Sequence, residues 1–115
     1  MKKIGSAVLL SLVCLALGCQ QKSAPAEHIN VVMKKYTITP AEIRVKSGQS
    51  VELDVTAADV QHGFDVPALG IKEPVQPGKT TTISFTPSQK GTFDVQCGII
   101  CGPHHDDMTA KLIVE

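Results

Sequence analysis

The chain has 115 residues, of which 43% are hydrophobic, with 11 basic and 11 acidic side chains, four cysteines and no tryptophan. This length allows a single domain, and the formal net charge of zero excludes the basic surplus that is typical of nucleic-acid-binding proteins. Without the first 18 residues, nine basic and 11 acidic groups remain, so the rest of the chain is mildly acidic.

The first 18 residues have the pattern of an export signal. Two lysines precede an uncharged run over residues 4–17, which as a helix is too short to cross the about 30 Å hydrocarbon core of a bilayer. The run ends in Gly18-Cys19, which resembles a bacterial lipobox, whose cysteine becomes the lipidated first residue. We therefore predict a lipoprotein-type signal peptide over residues 1–18 and a membrane anchor on Cys19, in the periplasm or on the outer face of a bacterial membrane. A freely soluble exported protein is the alternative.

Residues 19–28 read as a tether between the signal and the domain, because they are polar and contain Ser23 and Pro25. His28, at the end of the tether, is expected to be solvated and not a ligand. The domain itself is predicted to cover residues 29–115.

The cysteines divide according to this organisation. Cys14 leaves with the signal and Cys19 carries the lipid, so Cys97 and Cys101 remain for chemistry. In an exported protein a disulfide between them is one explanation. Closing so short a loop contributes only about 2 kcal/mol, which is a weak reason to keep the pair.

From Ile29 onward, apolar residues alternate with polar ones, as in half-buried β-strands. The clearest alternating segments are residues 42–46, 51–56, 82–86 and 92–96. Turn residues separate them at Ser47-Gly48, at Pro77-Gly78 and over 88–91. We predict an all-β antiparallel sandwich of about seven strands, from Ile29–Ile38 to Ala110–Val114, without a long helix.

The strand that ends at Cys97 leads into the segment that is richest in side chains able to bind a metal or to react. Cys97 has the same parity as Phe93 and Val95, so it is expected to face the core. Glycine and proline then break the pattern, which predicts a loop over residues 98–108. Residues 97–108 hold two Cys, two His and one Met, donors that suit copper, zinc or iron–sulfur but not calcium or magnesium.

Zinc is one of the metals that these residues could bind. Cys97, Cys101, His105 and one more histidine would make a closed tetrahedral zinc site. Met108 speaks against it, because a thioether is an unusual zinc ligand. Dithiol redox chemistry of the thioredoxin type needs a βαβ context, which this chain lacks.

The motif Cys97-x3-Cys101-Gly102-x2-His105-x2-Met108, preceded by Asp59-Val60-Gln61-His62-Gly63-Phe64, resembles the dinuclear CuA domain of cytochrome c oxidase subunit II. The resemblance covers residues 33–114 and implies a cupredoxin-like Greek-key β-sandwich. It implies that His62 and His105 each bind one copper ion, and that Cys97 and Cys101 bridge both ions. Met108 and the backbone carbonyl of Ile99 would be weak ligands on opposite sides.

By this resemblance the protein is a copper-binding electron carrier with two copper ions in a mixed-valence centre, and it is not an enzyme by itself. Its partners would be a c-type cytochrome or a terminal reductase or oxidase. Phe64, Ile99 and Ile100 are expected to keep water away from the metals. Two other functions stay open. One is a mononuclear type 1 cupredoxin that uses His62, Cys101, His105 and Met108, and the other is a lipoprotein that carries copper to an oxidase under assembly.

The chain departs from the subunit II pattern at three points. Ile99 stands where the family usually has a glutamate that reaches towards a magnesium site. A signal peptide replaces the N-terminal transmembrane helices, and no tryptophan is present where electrons enter from cytochrome c. Among the remaining residues near the motif, His104, Asp106 and Asp107 are expected to be solvated, and Met33 to fill the core.

Overall fold

The computed structural model describes residues 25–115. The predicted signal peptide, Cys19 and most of the predicted tether lie outside the described residues. Within 25–115 there is no α-helix, and no helix has the length and apolar character that a membrane span requires. The strands are β1 (Glu27–Lys34), β2 (Thr37–Thr39), β3 (Glu42–Val45), β4 (Val51–Ala57), β5 (His62–Val66), β6 (Ile71–Val75), β7 (Thr80–Phe85), β8 (Gly91–Cys97) and β9 (Thr109–Val114). Two short 3-10 helices cover Pro67–Leu69 and His105–Asp107.

The strands form two sheets packed as a sandwich, which confirms the predicted fold class. The four-stranded sheet has the order β2-β1-β4-β7, and the five-stranded sheet has the order β3-β9-β8-β5-β6. The pairs β1–β4 and β3–β9 are parallel and the other pairs are antiparallel. The prediction of an antiparallel sandwich was therefore wrong for these two pairs, which join strands that are separated by long connections along the chain.

The structure has nine strands where the pattern predicted about seven. The predicted strand Ile29–Ile38 is a hairpin of β1 and β2, with Val32 opposite Thr39, and its turn at 35–36 lacks the glycine, proline or asparagine that usually marks a turn. β6 contains Pro74, a residue that within sheets is confined mainly to edge strands. β6 lies at an edge of its sheet, which explains why the strand tolerates a proline.

The core lies between the two sheets. Alternate residues of β4, namely Val51, Leu53 and Val55, are buried, as are Ala110, Leu112 and Val114 of β9. This is the alternation that the sequence predicted. Met33 is 0% exposed, in agreement with its predicted place in the core.

Candidate metal centre

The candidate ligands meet at one end of the five-stranded sheet. His62 is the first residue of β5 and Cys97 is the last residue of β8. These strands pair antiparallel, with Phe64 opposite Cys97, so the start of one strand lies beside the end of the other. The segment between β8 and β9 carries the remaining candidates, Cys101, His105 and Met108. Residues 35 positions apart along the chain are thereby brought into contact.

Cys97 contacts two other predicted ligands. Its Sγ lies 3.7 Å from Nδ1 of His62 and 3.1 Å from the backbone oxygen of Ile99. His62 is 0% exposed. Among the buried residues within 25–115 it is the one with a polar side chain. Cys97 is 4% exposed, which agrees with the prediction that its side chain points inward.

Cys101 contacts two further predicted ligands, His105 and Met108. Its Sγ lies 3.8 Å from Nδ1 of His105 and 3.9 Å from Sδ of Met108. Cys101 and His105 are half-buried, whereas Met108 is buried completely. The two halves of the cluster meet at the sulfurs, because Sγ of Cys97 and Sγ of Cys101 are 3.8 Å apart. Both thiols are free, so the disulfide considered from the sequence is not formed in this structure.

The donor set fits a soft or borderline metal ion. His62, Cys97 and Cys101 each offer one ligand atom, and these atoms lie within 4.8 Å of one another. Thiolate, imidazole and thioether groups suit copper, and thiolate and imidazole groups also suit zinc. Burial of the thiol, reinforced by the hydrogen bond and charge of Cys97, raises the pKa of Cys101. A metal ion that binds there must therefore displace a proton.

Asp59 holds His62 in place, a role that the sequence analysis did not assign. Its Oδ1 lies 2.7 Å from Nε2 of His62. In this arrangement Nε2–H donates a hydrogen bond to the carboxylate, and Nδ1 keeps a free lone pair that faces Cys97. The backbone amides of Lys35 and Val60 donate further hydrogen bonds to the Asp59 carboxylate, at 2.8 Å and 2.7 Å. Desolvation works to raise the pKa of Asp59, but these hydrogen bonds and the His62 ring outweigh it and hold the pKa well below its usual value. In the sequence, this contact could have been inferred from the separation of three positions between Asp59 and His62.

The residues around the centre follow the predictions in most cases. His104 and the pair Asp106 and Asp107 are exposed, and Nδ1 of His104 lies 3.4 Å from Oδ2 of Asp107. Phe64 is 0% exposed, but Ile100 is 84% exposed. The expectation that Ile100 keeps water from the centre was therefore wrong, because its side chain points away from the cluster into solvent.

Gly63 allows the loop after Cys97 to approach β5. The amide of Gly98 donates a hydrogen bond to the carbonyl oxygen of Gly63 at 3.1 Å. A Cβ atom at position 63 would lie only 3.0 Å from the backbone nitrogen of Ile99. At Gly98, a Cβ atom would overlap the carboxylate of Asp65. The lack of a side chain at both glycines therefore lets the loop after Cys97 pack closely against β5.

We expect Gly63→Ala to destabilise the metal-free protein by about 1–3 kcal/mol, the usual cost of forcing extra atoms into a packed site. The added methyl group meets backbone atoms of Gly98 and Ile99, which cannot rotate away as a side chain can. The free energy of unfolding in urea measures the effect. A loss below about 0.5 kcal/mol, which is the range of ordinary surface substitutions, would contradict this expectation.

The cupredoxin-like domain family matches residues 7–114. The alternative cytochrome c oxidase subunit 2 of Bradyrhizobium diazoefficiens is 37% identical over 78 residues, which is 68% of this chain and 28% of that protein. Cytochrome c oxidase subunit 2 of Branchiostoma floridae is 46% identical over 59 residues, which is 51% of this chain and 26% of that protein. The chain thus spans about a quarter of the length of these curated relatives.

The structural similarity supports the same fold. The periplasmic domain of subunit II of cytochrome oxidase from Bradyrhizobium japonicum superposes with a TM-score of 0.72 and 23% sequence identity, covering 81% of this chain and 87% of that chain. The blue copper protein auracyanin A from Chloroflexus aurantiacus gives a TM-score of 0.65 and 18% identity, over 79% of this chain and 100% of that chain.

Proposed function

The chain belongs to the cupredoxin-like domain family, and on this premise we propose that it is an exported electron-transfer protein with a dinuclear, CuA-type copper centre. The observation that carries the proposal is the pair of thiols 3.8 Å apart, each beside its own imidazole nitrogen. A mononuclear type 1 site uses two imidazoles but only one thiolate, so it does not need two sulfur–imidazole pairs. Two such pairs in contact support a centre that holds two ions.

In this proposal Cys97 and Cys101 would hold both copper ions through their sulfurs, and His62 and His105 would each bind one ion. The thioether of Met108 and the backbone oxygen of Ile99 serve as weak ligands, for which their positions beside Cys101 and Cys97 are suitable. When bound, the copper pair supplies a one-electron redox group whose charge change is spread over two metals and two sulfurs.

The protein around the centre favours electron transfer over catalysis. Asp59 and the buried strand β5 hold His62 in one orientation, and preorganised ligands need little rearrangement when the charge changes. The buried side chains of Phe64 and Met108 exclude water on the core side. In the proposed centre the two ions would use all the contacting donors, and we infer that the protein is an electron-transfer module and not an enzyme by itself.

The partners and location follow from the same proposal. We assign the chain to the periplasm or the outer face of a bacterial membrane, with a lipid on Cys19 as the anchor. A c-type cytochrome or a terminal reductase or oxidase would exchange electrons with it. Asp106 and Asp107 are exposed beside His105, which supports the approach of a basic partner through charge attraction.

The test is the metal content and the electron paramagnetic resonance spectrum of the purified chain after copper loading. Two copper ions per chain, with hyperfine coupling of the unpaired electron to two copper nuclei, are the expected result. Coupling to a single nucleus would indicate a type 1 site instead. Rapid loss of Cu(I) to a competing chelator, without retention through redox cycles, would favour copper trafficking.

Asp59→Ala is expected to weaken copper binding about 10–100-fold, the usual cost of removing the partner that orients a ligating histidine. Without the carboxylate, the ring of His62 loses its hydrogen bond at Nε2 and its Nδ1 is no longer held towards Cys97. Competition with a Cu(I) chelator measures the affinity.

Asp107→Ala is the matched control. It removes the same charge and also breaks a contact with a histidine three positions away, since Asp107 lies 3.4 Å from His104. Both residues are exposed, so the affinity for copper should stay unchanged. Equal losses in the two variants would mean that Asp59 acts only through its charge.

A further inference from the structure

The turn between β1 and β2 lies against the candidate metal centre and touches both of its halves. It consists of Lys35 and Tyr36, which connect the two strands. The amide of Lys35 donates a hydrogen bond to Oδ2 of Asp59 at 2.8 Å, and the other oxygen of this carboxylate contacts Nε2 of His62. The backbone of the turn therefore supports the half of the centre that contains His62 and Cys97.

The side chain of Tyr36 reaches the other half. Its ring lies over Gly102, the residue after Cys101. A Cβ atom at position 102 would lie 3.1 Å from Cε1 and 3.2 Å from Cζ of the ring, and it would overlap the hydroxyl oxygen. The ring also meets the imidazole of His104, the residue before His105, edge to face, with 5.3 Å between the ring centroids. Tyr36 thus packs against the neighbours of two proposed copper ligands.

The backbone of Gly102 carries this contact to His105. Its carbonyl oxygen accepts a hydrogen bond from the amide of His105 at 3.1 Å, at the start of the 3-10 helix. The carbonyl oxygen of His105 accepts one from the amide of Met108 at 3.2 Å. A ring that holds Gly102 in place therefore restricts Cys101 and His105 together, because a peptide bond joins it to the first and a hydrogen bond joins it to the second.

The sheet holds the turn in place. Tyr36 is half-buried and packs against the core, and the strands on either side of it pair through Met33 opposite Ile38, which are both buried. In the ligand loop, by contrast, Pro103 and His104 are exposed. A loop with few buried apolar contacts opens easily, so a contact with a ring that is anchored in the sandwich has a large effect on it.

We propose that Tyr36 is a positioning residue for the metal centre. Its ring holds the loop that carries Cys101 and His105, while the amide of Lys35 supports His62 through Asp59. One turn therefore holds the two halves of the centre next to each other, with the sulfurs 3.8 Å apart. The effect on a copper centre rests on the proposed function, whereas the effect on the metal-free thiol does not.

Alkylation of the metal-free full chain by iodoacetamide tests this role, with fragmentation of the peptides in a mass spectrometer to measure Cys101 separately from the other cysteines. Tyr36→Ala is expected to raise the rate at Cys101 about tenfold, because the loop loses the half-buried ring that restricts it. Tyr36→Phe keeps the ring atoms that lie over Gly102, so its rate should stay within about twofold of that of the unsubstituted chain.

Phe85→Ala is the matched control for a general loss of stability. Phe85 is also a half-buried aromatic residue that packs against the core. It lies opposite Val51 at the start of β4, about 20 Å along that strand from the end that leads to the centre. Lys35→Ala is the control within the turn, because it removes a side chain and keeps the backbone amide. Neither variant should change the rate at Cys101 by more than about twofold.

Copper binding shows whether the contact acts on the centre. In competition with a Cu(I) chelator, the affinity of Tyr36→Ala should be about tenfold lower than that of Tyr36→Phe and of the unsubstituted chain. If the unsubstituted chain binds no copper, the proposed function fails and the alkylation rates still decide on the role of Tyr36.

Two results overturn the proposal. One is an alkylation rate at Cys101 that is the same in Tyr36→Ala as in Phe85→Ala, and the other is a copper affinity of Tyr36→Ala equal to that of the unsubstituted chain. Circular dichroism shows whether each variant is folded. Tyr36→Leu, which keeps apolar volume but has no ring, takes the place of Tyr36→Ala if that variant does not fold, with the same expected direction of both effects.

Discussion

Cys97→Ser is expected to abolish the dinuclear centre and leave at most one copper ion per chain. Sγ of Cys97 is the atom that joins the two halves of the cluster, at 3.7 Å from His62 Nδ1 and 3.8 Å from Cys101 Sγ. A serine hydroxyl is a hard donor that stays protonated at neutral pH, so it does not bridge copper ions. The copper-to-protein ratio and the hyperfine coupling to one nucleus instead of two are the measurements.

The alternative sites give different results in the same experiment. A type 1 site of His62, Cys101, His105 and Met108 does not use Cys97, so its spectrum would stay almost unchanged in Cys97→Ser and be lost in Cys101→Ser. Leu112→Met is the control for damage to the fold, because Leu112 is buried but is not a proposed ligand, and exchange of Leu for Met conserves volume and costs less than about 1.5 kcal/mol. That variant should keep two copper ions.

Phe64→Ala is expected to lower the free energy of unfolding of the metal-free protein by about 3–5 kcal/mol. Phe64 is 0% exposed and heads the largest completely buried side chains within residues 25–115, so truncation leaves a cavity between the sheets. Stabilities of domains this size are about 5–15 kcal/mol, which makes the loss a large fraction of the total. Urea unfolding followed by circular dichroism gives the value.

Ile100→Ala is the comparison for this prediction. Ile100 is also a large apolar residue near the centre, but it is 84% exposed, and surface substitutions usually change stability by less than about 0.5 kcal/mol. If Phe64→Ala costs no more than Ile100→Ala, Phe64 does not stabilise the core in the way that its burial indicates. Both measurements need metal-free protein, because a bound ion adds its own stabilisation.

Much of the fold was predictable from local pattern. The burial of Val51, Leu53 and Val55 and the inward direction of Cys97 follow from the period of two, because successive side chains of a strand point to opposite faces. The turn at Lys35-Tyr36 was not predictable in this way, since neither residue has the backbone preferences that mark turns. The parallel pairs β1–β4 and β3–β9 were also missed, because periodicity indicates strands but not their neighbours.

The candidate site was predictable to a different extent. The resemblance carried by the motif of Cys97, Cys101, His105 and Met108 implies a ligand set, and the structure brings these residues together with His62. That they bind copper remains a prediction. The contact of Asp59 with His62 and the packing of Tyr36 against Gly102 depend on side-chain directions and strand register, which a single sequence does not specify.

The position of β9 has a consequence for the order in which the strands can pair during synthesis. β9 lies inside the five-stranded sheet, between β3 and β8, and contributes three buried side chains to the core. On the ribosome this sheet stays open until residues 109–114 have been synthesised, because within residues 25–115 β3 pairs with β9 alone and β8 would keep only β5 as a neighbour. Until then the buried side chains of β9 are missing from the core, so the packing of the sandwich is expected to be completed late in synthesis.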